Sequence, residues 1–115
     1  MATSVYLDID QGSDFSTVIT LENDDGTPMN LSTANVYSQF RKSYGSTTAY
    51  SFICEVIDAQ QGKLRLSIPG ITSTNIRHGR YLYDVELVYV GPTETRRTRV
   101  IEGILTINPE ITKIP

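Results

Sequence analysis

The feature that most restricts this chain is an apolar side chain at every second position, repeated through segment after segment. A repeat of two belongs to an extended strand, whose successive side chains point to opposite faces. A helix instead needs apolar residues three and four apart, and no run of useful length has that spacing. Val5, Leu7 and Ile9 alternate with Tyr6, Asp8 and Asp10. Phe15, Thr17, Ile19 and Leu21 oppose Ser16, Val18 and Thr20. Val36, Ser38 and Phe40 oppose Tyr37, Gln39 and Arg41, and Tyr50, Phe52, Cys54 and Val56 oppose Ser51, Ile53, Glu55 and Ile57. Leu64, Leu66 and Ile68 point inward from the clearest strand, with Lys63, Arg65 and Ser67 outward. Gly79 opens the longest, which puts Tyr81, Tyr83, Val85, Leu87 and Tyr89 on one face. Thr95 to Asn108 is the last strand, with a bulge expected at Gly103.

Turn signals separate these runs. They are Gln11-Gly12-Ser13, Asn23 to Pro28 around Asp25-Gly26, the polar stretch Ser43 to Thr48, Asp58 to Gly62, Pro69-Gly70 and Gly91-Pro92. Asp-Gly supplies the positive φ that a tight reversal needs. Met29 and Leu31 are expected to plug the core from a loop. One short helical turn is expected near residues 71–77, capped by Thr72 or Ser73 and crossing between sheets. About seven strands with turns at such intervals predict an all-β fold, an immunoglobulin-like antiparallel β-sandwich. The predicted domain covers residues 1–110, and 111–115 form a C-terminal tail whose Ile111, Ile114 and Pro115 lead into or pack on something else. Tyr81, ahead of Tyr83, is the candidate for a tyrosine corner, a hydroxyl bonded back to nearby backbone. Ser4 to Asp10 and Thr95 to Asn108 are the expected open sheet edges.

Residues with chemistry to offer are few. Cys54 is the sole cysteine of 115 residues, so it forms no internal disulfide, and its inward position reads as a small core hydrophobe. His78 is the sole histidine and reads as a surface loop histidine. Asp8, Asp10, Gly12 and Asp14 have the alternation of a calcium loop but lack its glycine position and closing glutamate, so they read as a solvated strand end. Asp24-Asp25-Gly26 reads as a turn, and Asn30-Leu31-Ser32 as a chance match to the glycosylation pattern. Arg96, Arg97 and Arg99 form the densest basic cluster and are the candidate partner contact. In a strand Arg97 and Arg99 share a face that Arg96 does not, and charge of this kind also guards a sheet edge. No catalytic residue, metal ligand or cofactor is expected. A net charge of −3, from 10 basic and 13 acidic side chains, argues against a nucleic-acid partner. No secretory signal or membrane-spanning run of about 20 apolar residues is visible, which fits reducing, cytoplasmic surroundings.

Three segments taken in order carry a likeness. They are Gln11-Gly12-Ser13-Asp14-Phe15, Asp25-Gly26-Thr27-Pro28-Met29-Asn30-Leu31, and Gly79 to Leu87 with its Tyr81, Tyr83, Asp84 and Glu86. Across roughly residues 4–108 the chain resembles small immunoglobulin-like domains of tailed-phage structural proteins, such as the N-terminal domain of the baseplate upper protein and small structural proteins of T-even-like cyanobacterial phages. The resemblance implies a non-catalytic virion module of the tail or baseplate, assembled in the host cytoplasm. Its implied partners are other virion proteins or further copies of itself in a homo-oligomer, met by surface complementarity or by strand addition, with no nucleic acid and no membrane. The alternative is a carbohydrate- or receptor-binding module that uses Tyr37, Tyr44, Tyr50 and Tyr89 as stacking faces. An enzyme would need a deep cleft joining His78 to Asp or Ser side chains.

Overall fold

In a computed structural model that describes residues 3–112, the alternating segments pair into two stacked sheets. The strands are β1 (Thr3–Ser4), β2 (Leu7–Asp10), β3 (Phe15–Thr20), β4 (Ala34–Arg41), β5 (Tyr50–Ser51), β6 (Ile53–Asp58), β7 (Lys63–Ile68), β8 (Gly79–Val90) and β9 (Thr95–Asn108). One sheet runs β1-β9-β8-β4-β5, with β2 also lying along β9, and the other runs β3-β7-β6. With β9, β8 and β4 in one layer and β3, β7 and β6 in the other, the strand order is that of an immunoglobulin-like sandwich. The inward residues of the sequence pattern meet between the layers. Ile9, Phe40, Leu64, Leu66, Val85, Leu87, Leu105 and Ile107 are fully enclosed there, and Leu31 plugs one end with Met29 packed beside it.

Four details differ from the sequence expectation. First, the described residues hold nine strands rather than about seven, because two of the alternating runs are interrupted. Tyr50-Ser51 pairs with Phe40-Gln39, whereas Ile53 onward pairs with β7, so the chain changes sheets at Phe52. The Phe52 amide donates to the Ser38 carbonyl at 3.0 Å. Its buried ring fills the joint, with centroids 5.2 Å from Phe40 and 6.2 Å from both Phe15 and Tyr83. The period of two runs through this crossing because both sheets face the same interior.

Second, the sandwich is not wholly antiparallel. β1 and β2 lie parallel to β9, with Leu7 beside Leu105 and Ile9 beside Ile107. Alternation reports which face a residue takes and is blind to strand direction.

Third, the irregularity in β9 falls between Ile101 and Arg99, opposite Val85-Glu86, so the extra residue is Val100 and not Gly103. Gly103 pairs regularly with Tyr83. A Cβ on it would sit 2.1 Å from the Val5 carbonyl oxygen, so glycine is required by the close approach of the β1–β2 joint.

Fourth, the helical turn, α1 (Gly70–Ser73), starts earlier and is shorter than expected. Thr72 and Ser73 lie inside it, and Pro69 occupies the N-cap with no side chain to offer. The capping group comes from elsewhere: Asp14 Oδ1 accepts the Gly70 amide at 2.7 Å. Ser73 is wholly buried, and its hydroxyl accepts the Gly12 amide at 2.9 Å. α1 therefore bolts the β7–β8 crossing to the β2–β3 corner.

Tyr81 forms the expected corner. Its phenol donates to the Arg77 carbonyl at 2.5 Å, while its ring packs edge-on to Phe40 at 5.3 Å. Beyond β9, Glu110 is still tied in, its amide donating to Gln11 Oε1 at 3.1 Å, and Ile111 is 97% exposed. Ile114 and Pro115 lie outside the described residues.

Tyr81→Phe keeps the ring and removes the part-buried bond to the Arg77 carbonyl, which costs about 0.5–1.5 kcal/mol. The check is urea denaturation, where the midpoint falls and the slope stays constant. Tyr6→Phe, which removes an exposed bond to Thr106 at 2.6 Å, changes stability by under about 0.5 kcal/mol.

Candidate interaction surface

The arginine-rich segment lies on the half of β9 that has a neighbour on one side only. Thr95 to Arg99 pair with β8, and β1 joins β9 from Ile101 onward. The other half of β9 and the strands β1 and β2 cover each other, so the open edges are narrower than the sequence suggested.

Pairing with β8 fixes where each arginine points. Arg97 lies opposite Val88 and Arg99 opposite Glu86, both on the outer face, whereas Arg96 lies opposite inward-facing Tyr89. The Arg96 guanidinium stands over the Tyr89 ring, 5.1 Å from its centroid. Arg99 Nε reaches Asp84 Oδ2 at 3.1 Å and its Nη1 reaches Glu102 Oε2 at 3.4 Å. Arg97 has no ion pair among the described residues. The three side chains therefore do not form one basic patch. One covers an aromatic ring, one is neutralised by two carboxylates, and one stands free on the open edge.

The outer face of the larger sheet carries an open depression of about 490 Å³ between β1, β4, β8, β9 and the loop after β4. Arg41, Tyr44, Asp84, Arg99, Glu102 and Ile104 are among its lining residues. Tyr44 stands 82% exposed at its rim. Charges of both signs beside aromatic and aliphatic surface suit a polar, complementary partner rather than a polyanion. Of the four tyrosines weighed as stacking faces, Tyr37 and Tyr44 present open rings. Tyr50 stacks on Phe40 at 5.3 Å, and Tyr89 lies under Arg96 with its phenol donating to the Asn30 carbonyl at 3.1 Å.

The remaining candidates hold the framework together. Asn108 Nδ2 reaches Asp8 Oδ1 at 3.0 Å and Asp10 Oδ1 at 3.4 Å, while Asp14 turns away to cap α1. The Asp-rich segment is thus divided between two structural tasks. Among the described residues no cluster of three or more histidine, cysteine or acidic side chains could hold a metal. Asp25 Oδ1 accepts the hydroxyl and amide of Thr27, which hold its carboxyl below the usual range and close the turn at Gly26, where φ is +86°. Asn30 Oδ1 accepts the Ser32 amide at 2.9 Å, a local turn that presses Leu31 into the core. Cys54 is half-buried, and desolvation raises its thiol pKa, the reverse of what a nucleophile needs. His78 lies exposed between α1 and β8.

Sequence reasoning missed Gln11. Its Nε2 donates to the Ile76 carbonyl at 2.8 Å while its Oε1 accepts the Glu110 amide, so one side chain joins the β7–β8 crossing to the end of β9. The only signal was its place in a motif that had no assigned role. No described helix is long and apolar enough to cross a membrane. No family model matches this chain, and no curated protein matches its sequence.

Tyr83 lies beneath the depression with its phenol donating to the Val5 carbonyl at 2.7 Å, and burial pushes its pKa from 10 up to about 12. The folded protein therefore keeps a proton that the unfolded chain releases. That contribution to stability is complete below pH 10 and is lost as pH rises towards about 12. Urea denaturation at stepped pH will show this decline. Tyr83→Phe flattens it, leaving the smaller slope due to Tyr81 and Tyr89, which burial also raises.

Proposed function

We propose that this chain is a non-catalytic structural and assembly module of a tailed-phage virion, of the tail or baseplate type, acting through protein–protein contacts. The observation that carries this reading is the place of the phage-like motifs at joints of the sandwich. Gln11 to Asp14 tie the β2–β3 corner to α1 and to the end of β9. Asp25 to Leu31 close the turn after β3 and plug the core. Gly79 to Leu87 open β8 and carry the tyrosine corner. Groups that chemistry would draw on, such as Asp14, Ser73 and Tyr81, are committed to these joints. What faces outward is a mixed-charge sheet surface, which suits recognition better than turnover.

The second reading, a carbohydrate- or receptor-binding module, is favoured by one observation, the exposed Tyr44 ring beside Arg41 and Asp84 at the rim of the depression. A sugar would stack on the ring and bond to the flanking charges.

The test is mass spectrometry of gradient-purified particles from the phage encoding the chain. The assembly reading expects a fixed copy number per particle. Recovery solely in the unassembled soluble fraction overturns it. Glycan-array binding that Tyr44→Ala abolishes would transfer support to the second reading.

A further inference from the structure

The sandwich has several open strand edges, and all but one of the longer ones carry a device against pairing. Isolated edges invite another chain because their amides and carbonyls lack partners, and proteins blunt them with charge, bulges or shortness. The free half of β9 has Arg96, Arg97 and Arg99 with a bulge at Val100. β6 has Glu55 and Asp58 and its own bulge after Val56. The outer side of β2 has Asp8 and Asp10, and β4 is covered over part of its length by β5.

β3 has none of these. It reads Phe15-Ser16-Thr17-Val18-Ile19-Thr20, with no charge, proline or bulge, and pairs with β7 in unbroken register from Phe15–Ile68 to Thr20–Lys63. No strand among the described residues lies on its other side, because β1 and β2 have joined the opposite sheet. The Leu21 amide donates to Gly62 in the continuation of the β3–β7 register. By the alternation of an antiparallel ladder, the amides and carbonyls of Ser16, Val18 and Thr20 then point to the open side. Val18 is 52% exposed on the outer face, and inward-facing Phe15 and Ile19 are only partly covered.

We infer that β3 is a docking edge and that its occupant is β3 of a second copy of this chain, paired antiparallel about Val18. The strand is self-complementary in that register. Val18 meets Val18, Ser16 meets Thr20, and on the inner face Ile19 meets Thr17 and Phe15 meets Leu21. The arrangement forms about six new backbone hydrogen bonds and extends both the sheet and its apolar layer across a two-fold axis. Charge opposes it only at the two ends, where the same register sets Asp14, whose carboxylate is held by the Gly70 amide, against Glu22. Arg65, beside Val18, is paired with Glu55 at 2.8 Å. Three strand spacings separate Arg65 from its counterpart, about 14 Å, which exceeds the screening length at physiological salt. As the contact through which the module assembles, this pairing rests on the function proposed above. As an association in solution it is tested separately.

The experiment is sedimentation velocity on the whole chain over a concentration series reaching the high micromolar range, with amide exchange at its two ends. The wild type is expected to dimerise, with the Ser16, Val18 and Thr20 amides slowing as concentration rises. Val18→Lys puts like charges face to face at the axis and raises the dissociation constant at least about tenfold, with circular dichroism unchanged. Val90→Lys, the same change at an exposed site on the other sheet, leaves the dimer intact. A wild type that stays monomeric throughout overturns the inference, as does a dimer indifferent to Val18→Lys or β3 amides that exchange equally fast at both concentrations. A monomer that is nonetheless found in particles overturns the pairing and spares the assembly reading. A β3 dimer absent from particles does the reverse.

Discussion

Contact between the inner faces of two sheets is the interaction on which the rest of this structure depends. Leu64 and Leu66 of β7 and Val85 and Leu87 of β8 are all completely enclosed between those layers. Burying such side chains yields about 1.5–3 kcal/mol each. A single chain can build both layers only by crossing between them, and each crossing exposes backbone groups that no ladder satisfies. The other conspicuous features of the molecule serve those crossings. Phe52 fills one, the Asp14–Gly70 and Gly12–Ser73 bonds close another, and the Tyr81 phenol bonds to the Arg77 carbonyl where that crossing enters β8.

The core was legible in the sequence because its signal is local. A residue's parity within its run decides whether it faces in or out, and Ile9, Phe40, Leu66 and Leu87 all obey that parity. The tyrosine corner was legible for a similar reason, since its bond spans four residues, Arg77 to Tyr81. What could not be read depends on separations of many tens of residues. The parallel pairing of β2 with β9, the need for glycine at position 103 beneath Val5, and the cap that Asp14 gives to α1 all join distant segments. Parity is preserved under a reversal of strand direction, so nothing in the alternation of Leu7 and Ile9 distinguished parallel from antiparallel. The arginines were half legible. Their division between two faces follows from parity, but the ring beneath Arg96 and the carboxylates around Arg99 come from pairing with β8 and from the strand's own sequel.

The placement of β1 and β2 also sets the character of the surface. By joining the larger sheet they cover the lower half of β9 and leave β3 without an outer neighbour. The same choice creates one protected edge and one bare one. Charge is distributed accordingly, with arginines on the exposed half of β9 and none on β3. Solubility alone would favour charge on both edges. A bare, regular, β-branched edge beside two guarded ones is better explained by a use for it than by neglect.

Stability and surface character are consequently separable in this molecule. The bonds of Gln11, Asp14, Ser73 and Tyr81 lie at crossings where loss of one partner strands a backbone group, so they tolerate little change. The ion pairs on the outer sheet, Arg99 with Asp84 and Glu102, are solvent-exposed and contribute under about 1 kcal/mol each. Replacing them alters what the depression presents while the crossings and core remain as they are. The fold is thus a frame whose outward faces can be rewritten at small thermodynamic cost, a division that suits the assembly role proposed above.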